Sequence, residues 1–239
     1  MAAINKKALG IGAVLALSFF GVLALIFSPV FGDGKNGLVF ADDMFNRLSK
    51  GSSYFIPAVA KKNENYKAVT VALTIKLDKP EQMNPLAIRL LAAAGAEANT
   101  ASPEIKLNGN LGMVMNQVLT DSDDMFKNDG AKITARYGGT DERDVMTAWW
   151  NILKGMDKEL KKQGKIAEAK IVSDVMKKAV EPAYNFYKIE GQKVSEKAGL
   201  MIGLLIFYVA YTMWWGFAIF YLFEGVGLTM KKAKVKKEV

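Results

Sequence analysis

The chain contains neither cysteine nor histidine. No disulfide can brace it, so an oxidising compartment is neither required nor excluded. Thiolate and imidazole metal sites are ruled out, as are haem ligation by His and catalysis by a His base or a Cys nucleophile. A lipobox lipid anchor also needs a cysteine. The folded middle of the chain lacks a strong charge of one sign as well. The formal net charge of +8 could suggest nucleic acid, but most of the excess sits on two short tails. Lys6 and Lys7 occupy one, and Lys231, Lys232, Lys234, Lys236 and Lys237 against Glu238 occupy the other. A phosphate-binding face would need that charge on the folded domain. Basic tails beside apolar runs are the mark of loops retained in the cytoplasm.

Two long apolar runs are present. No charge falls between Ala8 and Gly32, and none in the 26 residues from Ala198 to Phe223. About 20 apolar residues span a bilayer core, and the second run reaches ~39 Å as a helix. A cleaved signal peptide is the rival reading of the first run, with Val39-Phe40-Ala41 as a small-residue cleavage site. The run is long for a signal core, and that site lies beyond Asp33 and Lys35, so an anchor is expected. The expected organisation is a cytoplasmic N-terminus (1–7), a transmembrane helix (8–30), an extracytoplasmic domain (31–197), a second transmembrane helix (198–223) and a basic cytoplasmic tail (224–239). Both ends then share the cytoplasmic side of a plasma (inner) membrane, and the middle is periplasmic or extracellular.

The second run carries Tyr208, Tyr211, Trp214 and Trp215, with Gly199 and Gly203 in a GxxxG pattern. An aromatic belt suits Tyr221 and Phe223, but Tyr208 and Tyr211 fall near the middle. A phenol in hydrocarbon needs a hydrogen-bond partner. GxxxG permits close helix approach. These six residues are the expected contacts with a partner helix, either the first span or another protein's.

The middle reads as an α+β domain, a small sheet of about three strands with helices and a helical hairpin. Ala68 to Leu77 is the clearest strand, with Val69, Val71, Leu73, Ile75 and Leu77 alternating with Thr70, Ala72, Thr74 and Lys76. Pro85 to about Ala98 reads as a helix. Ile105, Leu107 and Leu111 suggest a second strand broken by Gly109, and Ile133, Ala135 and Tyr137 a third. Val145, Met146, Trp149, Ile152, Leu153, Met156 and Leu160 then trace a helical stripe. Gln163-Gly164 turns the chain, and a second stripe runs from Ile166 to Val180, where Pro182 should break or kink it. The chain is then expected to run on, almost as one rod, into the second span.

Chemistry-bearing candidates are few. Asp121, Asp123 and Asp124 form the dense acidic cluster. Counted from Asp121, Met125 and Lys132 occupy positions where an EF-hand needs oxygen ligands. A helix end with a solvated loop is the favoured reading, and weak divalent binding at these three is the minority one. Residues 32–37 lack P-loop spacing and read as a turn. Trp150 lies about 100° round the helix from Trp149 and, if exposed, is the expected partner anchor outside the membrane. Asp42 and Asp43 point different ways on a helix. Ser49-Lys50-Gly51-Ser52-Ser53 supplies Ser/Lys dyad types, as many loops would.

No cofactor, metal or catalysis is expected. The leading expectation is a non-catalytic accessory or scaffold subunit of a membrane complex, a transporter complex among the options, with a docking domain. Its partners are the lipid bilayer and a membrane protein or a second copy, with no nucleic acid. The alternative is a ligand sensor that signals through a separate partner. A Ser/Lys or Asp hydrolase ranks third.

Overall fold

The computed structural model describes residues 4–228. The lysine-rich tail at 231–237 lies outside the described residues. The chain divides into two compact units, one made of Met1–Phe45 with Lys193–Val239 and the other of Asn46–Gln192.

In the first unit, α1 (Lys6–Phe27) starts at Asn5, whose side chain accepts the Ala8 N–H at 3.2 Å. The glycine-rich segment is a turn, as expected. Gly32, Asp33 and Gly34 all have positive φ. Helix α2 (Gly37–Ser52), which belongs to this unit as far as Phe45, follows, capped by Asn36, which accepts the Val39 N–H at 2.9 Å.

The Asn46–Gln192 unit holds α3 (Ile56–Asn63), β1 (Thr70–Ile75), α4 (Pro80–Ala93), β2 (Glu97–Ala101), β3 (Glu104–Asn110), α5 (Leu111–Phe126), α6 (Gly130–Arg136), α7 (Glu142–Lys162), α8 (Ile166–Val175) and α9 (Glu181–Asn185). The sheet has three antiparallel strands in the order β1-β3-β2. Val71, Leu73 and Ile75 of β1 and Ile105 and Leu107 of β3 face inward, where α4 and α7 cover them. The other face presents Thr74, Lys106 and Asn99 in one row, and Ala72, Asn108 and Glu97 in the next.

Three strands are present, but not the three expected. Residues 130–136 form helix α6. Ile133 and Tyr137 are buried and Ala135 is exposed, a spacing of four rather than two. The missing strand is β2, whose sequence Glu-Ala-Asn-Thr-Ala has no apolar alternation. It exists because β3 pairs with it along its length, so tertiary pairing overrides weak propensity. Gly109 does not break β3. A Cβ there would lie 2.7 Å from the Ala96 Cβ, so only glycine lets the chain pass. Leu111 opens α5 instead, with Asn110 as its cap at 2.9 Å from the Met113 N–H.

The helical hairpin is α7 and α8, joined at Gly164 with φ +72°. All seven apolar residues read on the first stripe are buried. Asp141 caps α7, its side chain accepting the Arg143 N–H at 2.8 Å. Ahead of Pro182 the helix widens into a π turn over Met176–Val180. Proline has no N–H to return to Lys178, and wider spacing absorbs the misfit. Helix α9 then ends at Asn185, and residues 186–193 are not helical. The continuous rod is thus absent. Lys188 breaks it with φ +66°.

Back in the first unit, α10 (Val194–Gly225) lies antiparallel against α1. Both are long and apolar enough to cross a membrane, with mean hydropathy 2.5 and 1.7 in their most apolar windows, and only 6% of each window is buried. Burial that low separates them from the core helix of a soluble domain.

Candidate functional site

The acidic cluster is a set of occupied carboxylates. Asp121 has no exposed surface. Its Oδ2 accepts from Tyr137 Oη at 2.6 Å and from Trp149 Nε1 at 2.7 Å. Its Oδ1 accepts from Gln117 Nε2 at 3.2 Å and pairs with Arg136. The same guanidinium reaches Asp124 at 2.7 Å. Asp123 meets Lys127 at 2.5 Å and the Tyr54 hydroxyl at 2.6 Å. Burial raises the Asp121 pKa above the usual carboxylate range, against the pull of Tyr137, Trp149 and Arg136. Burial and the Asp121 charge push the Tyr137 phenol up. The solvated-loop reading is thus corrected for Asp121. The signal was present in the sequence, since Asp121 falls between Val118 and Met125 on the apolar stripe of α5. Among the described residues, no group of three or more His, Cys, Asp or Glu side chains is arranged to hold a metal ion.

The Ser/Lys candidates are not brought together as a dyad. Lys50 is 5% exposed, and its ammonium donates to Asn128 Oδ1 at 2.8 Å, Phe186 O at 3.1 Å and Ile189 O at 2.6 Å. Ser52 Oγ donates to Leu48 O at 3.0 Å. Lys50 therefore closes the domain around its own chain ends. Gln192 N–H donates to Arg47 O at 3.0 Å, and a Cβ on Gly51 would collide with the Gln192 carbonyl. No sequence signal marked this clasp. Asp43 pairs with Lys35.

Trp150 is half-buried at the edge of a cavity of about 280 Å³. Met146, Thr147, Val180, Glu181, Tyr184 and Asn185 complete the wall, so α7, the π turn and α9 build it. The indole N–H donates to Glu181 Oε1 at 3.1 Å, which fixes the ring. Lys154 lies 5.1 Å from the Trp150 ring centroid, and Arg143 5.4 Å from that of Tyr184. The wall is mainly apolar, with one carboxylate, Glu181, in its lining. Protein-family models, curated proteins and solved structures offer no match to this chain. The site's chemistry is therefore read from its residues alone.

On α10 the six expected contact residues separate into two groups. Tyr211 and Trp214 meet α1. The phenol donates to Phe19 O at 3.0 Å, and the indole to Leu15 O at 3.1 Å. The Tyr211 ring stacks on Phe19 with centroids 4.2 Å apart, and Trp215 packs on Phe19 at 4.6 Å. Close approach occurs at Gly12, where a Cβ would lie 2.6 Å from Leu222 N, and at Gly225, 2.6 Å from Leu9 Cα. Neither glycine was singled out from the sequence, because neither has a GxxxG mate. Gly199 and Gly203 take no part, and a Cβ on either would meet nothing within 4 Å. Tyr208 is 67% exposed. Of the two partners weighed for these residues, the first span takes Tyr211, Trp214 and Trp215.

Proposed function

We propose that this protein is a two-pass membrane protein acting as a non-catalytic accessory or scaffold subunit, with Asn46–Gln192 as its docking domain. The observation that carries the reading is Trp150, a half-exposed aromatic fixed by Glu181 at the edge of an apolar cavity. Aromatic anchors in such pockets dominate binding energy at protein interfaces. Lys50, the lysine of the Ser/Lys candidate, and Asp121 and Asp124, two of the metal candidates, are engaged in internal bonds. The uncovered Gly199–Gly203 face adds a place where a neighbouring helix can approach closely. The basic tails, together with an Asn5 N–H that donates to Gly225 O at 3.0 Å, favour both ends in the cytoplasm and the domain on the far side.

Co-purification after mild detergent extraction tests this. A partner should come away with the wild-type chain and be lost with Trp150→Ala and with Thr147→Trp, which fills the cavity. A monomer without any partner across several detergents sinks the proposal. The same cavity could instead admit a small ligand, which is the sensor reading. A thermal-shift screen that finds stabilisers in the wild type and none in Thr147→Trp would favour it.

A further inference from the structure

The chain that leaves α1 does not run away from it. Gly32, Asp33 and Gly34 turn through positive φ values of +85°, +50° and +69°. Phe31 N–H donates to Lys35 O at 3.0 Å, and Lys35 N–H to Gly32 O at 2.9 Å. The reversal brings Gly37 back against the last turn of α1, where a Cβ would lie 3.1 Å from Ile26 O and 3.2 Å from Ile26 Cγ2. Lys35 pairs with Asp43, and the Phe31 and Phe40 rings lie 6.3 Å apart, so the turn is pinned to the first two turns of α2. Helix α2 therefore starts level with the end of the apolar run.

At that level α2 exposes large apolar side chains. Leu38 is 55% exposed, Val39 46% and Phe45 48%, while the end of α1 exposes Phe27 at 55%, and Val30 beyond it is 60% exposed. Met44 and Leu48, on the other side of the helix, are buried. Asp42 shares the exposed face with Leu38 and Phe45 at helical spacing. A carboxylate there is tolerated at headgroup depth, where it still meets water, and not in hydrocarbon.

We infer that the first half of α2 lies in the bilayer interface, with Leu38, Val39 and Phe45 at the boundary between headgroups and acyl chains. This rests on the membrane reading above. The occupant of the face is lipid, because Gly37 fixes the start of the helix to the end of a lipid-facing span. Asp42 limits the depth to that of an interfacial helix, about 5–10 Å into the boundary.

The absence of cysteine makes the test direct. Single variants L38C and F45C of the full chain are spin-labelled and placed in phosphatidylcholine vesicles. Collision of each label with oxygen and with a water-soluble nickel chelate is then read. L17C and I206C report the two apolar helices, and N99C reports a water-exposed strand. The labels at 38 and 45 should shift from the N99C value towards oxygen and away from nickel, at a depth shallower than those at 17 and 206. Labels at 38 and 45 that match N99C, while 17 and 206 lie in lipid, overturn the inference alone. Labels at 17 and 206 that match N99C overturn the membrane reading and this inference with it.

Discussion

The Trp149 indole N–H donates to Asp121 Oδ2 at 2.7 Å, and neither side chain reaches solvent. The bond joins α5 to α7 at the centre of the α+β domain. Removing the carboxylate leaves the Trp149 N–H and the Tyr137 O–H without an acceptor and deprives Arg136 of its buried partner. Asp121→Leu should cost about 3–5 kcal/mol, the range for breaking one side of a buried pair. Chemical denaturation of the chain in detergent measures it.

The same carboxylate has a pH signature. Its folded pKa is raised above 3.8, chiefly by burial, so the folded state holds the proton more tightly than the unfolded chain does. Stability from this group is fully present below the unfolded value and is lost as pH rises through the folded one. The stability difference between wild type and Asp121→Asn should therefore shift against the wild type as pH rises through that window. A difference that moves the other way would mean that Arg136, Tyr137 and Trp149 outweigh burial.

Lys50 should act as a clasp. Lys50→Met removes three donated hydrogen bonds, at a cost of roughly 1–3 kcal/mol. Amide exchange should quicken first at residues 186–192. Burial lowers the Lys50 pKa from 10.5, with Glu190 opposing it. The stability it contributes is thus present above 10.5 and lost as pH falls through the lowered folded value. The wild type should gain on Lys50→Met as the solution is made alkaline through that range.

The paired apolar helices offer a split between glycines. Gly12→Leu and Gly225→Leu should drive α1 and α10 apart, since backbone stands 2.6 Å from each new Cβ. Gly199→Leu and Gly203→Leu should leave the pair intact. Cross-linking between single cysteines at Ile4 and Val226 reports which occurs.

Tyr211→Phe and Trp214→Phe each delete one hydrogen bond to an α1 carbonyl. Bonds of this kind within apolar helix pairs are worth about 0.6 kcal/mol, rarely above ~1.7. Unfolding in mixed micelles should show a loss of that size for each, and a larger one for Phe19→Ala, which removes the stacked ring.

By itself the sequence determined what periodicity can carry. Two apolar runs, the alternation in β1 and the stripe of α7 each depend on which local side of an element must avoid water. That choice is written into residues two to four apart. Tertiary structure decided the rest. The segment from Glu97 to Ala101 is a strand only because β3 lies beside it, and Ile133 with Tyr137 is helical because both reach one core. Asp121 is tolerated in that core because Trp149, Tyr137 and Arg136 converge on it. Tyr211 finds its acceptor on Phe19, 192 residues away. A polar group's partner lies wherever the fold brings an unused donor or acceptor, and no local pattern in the chain encodes that.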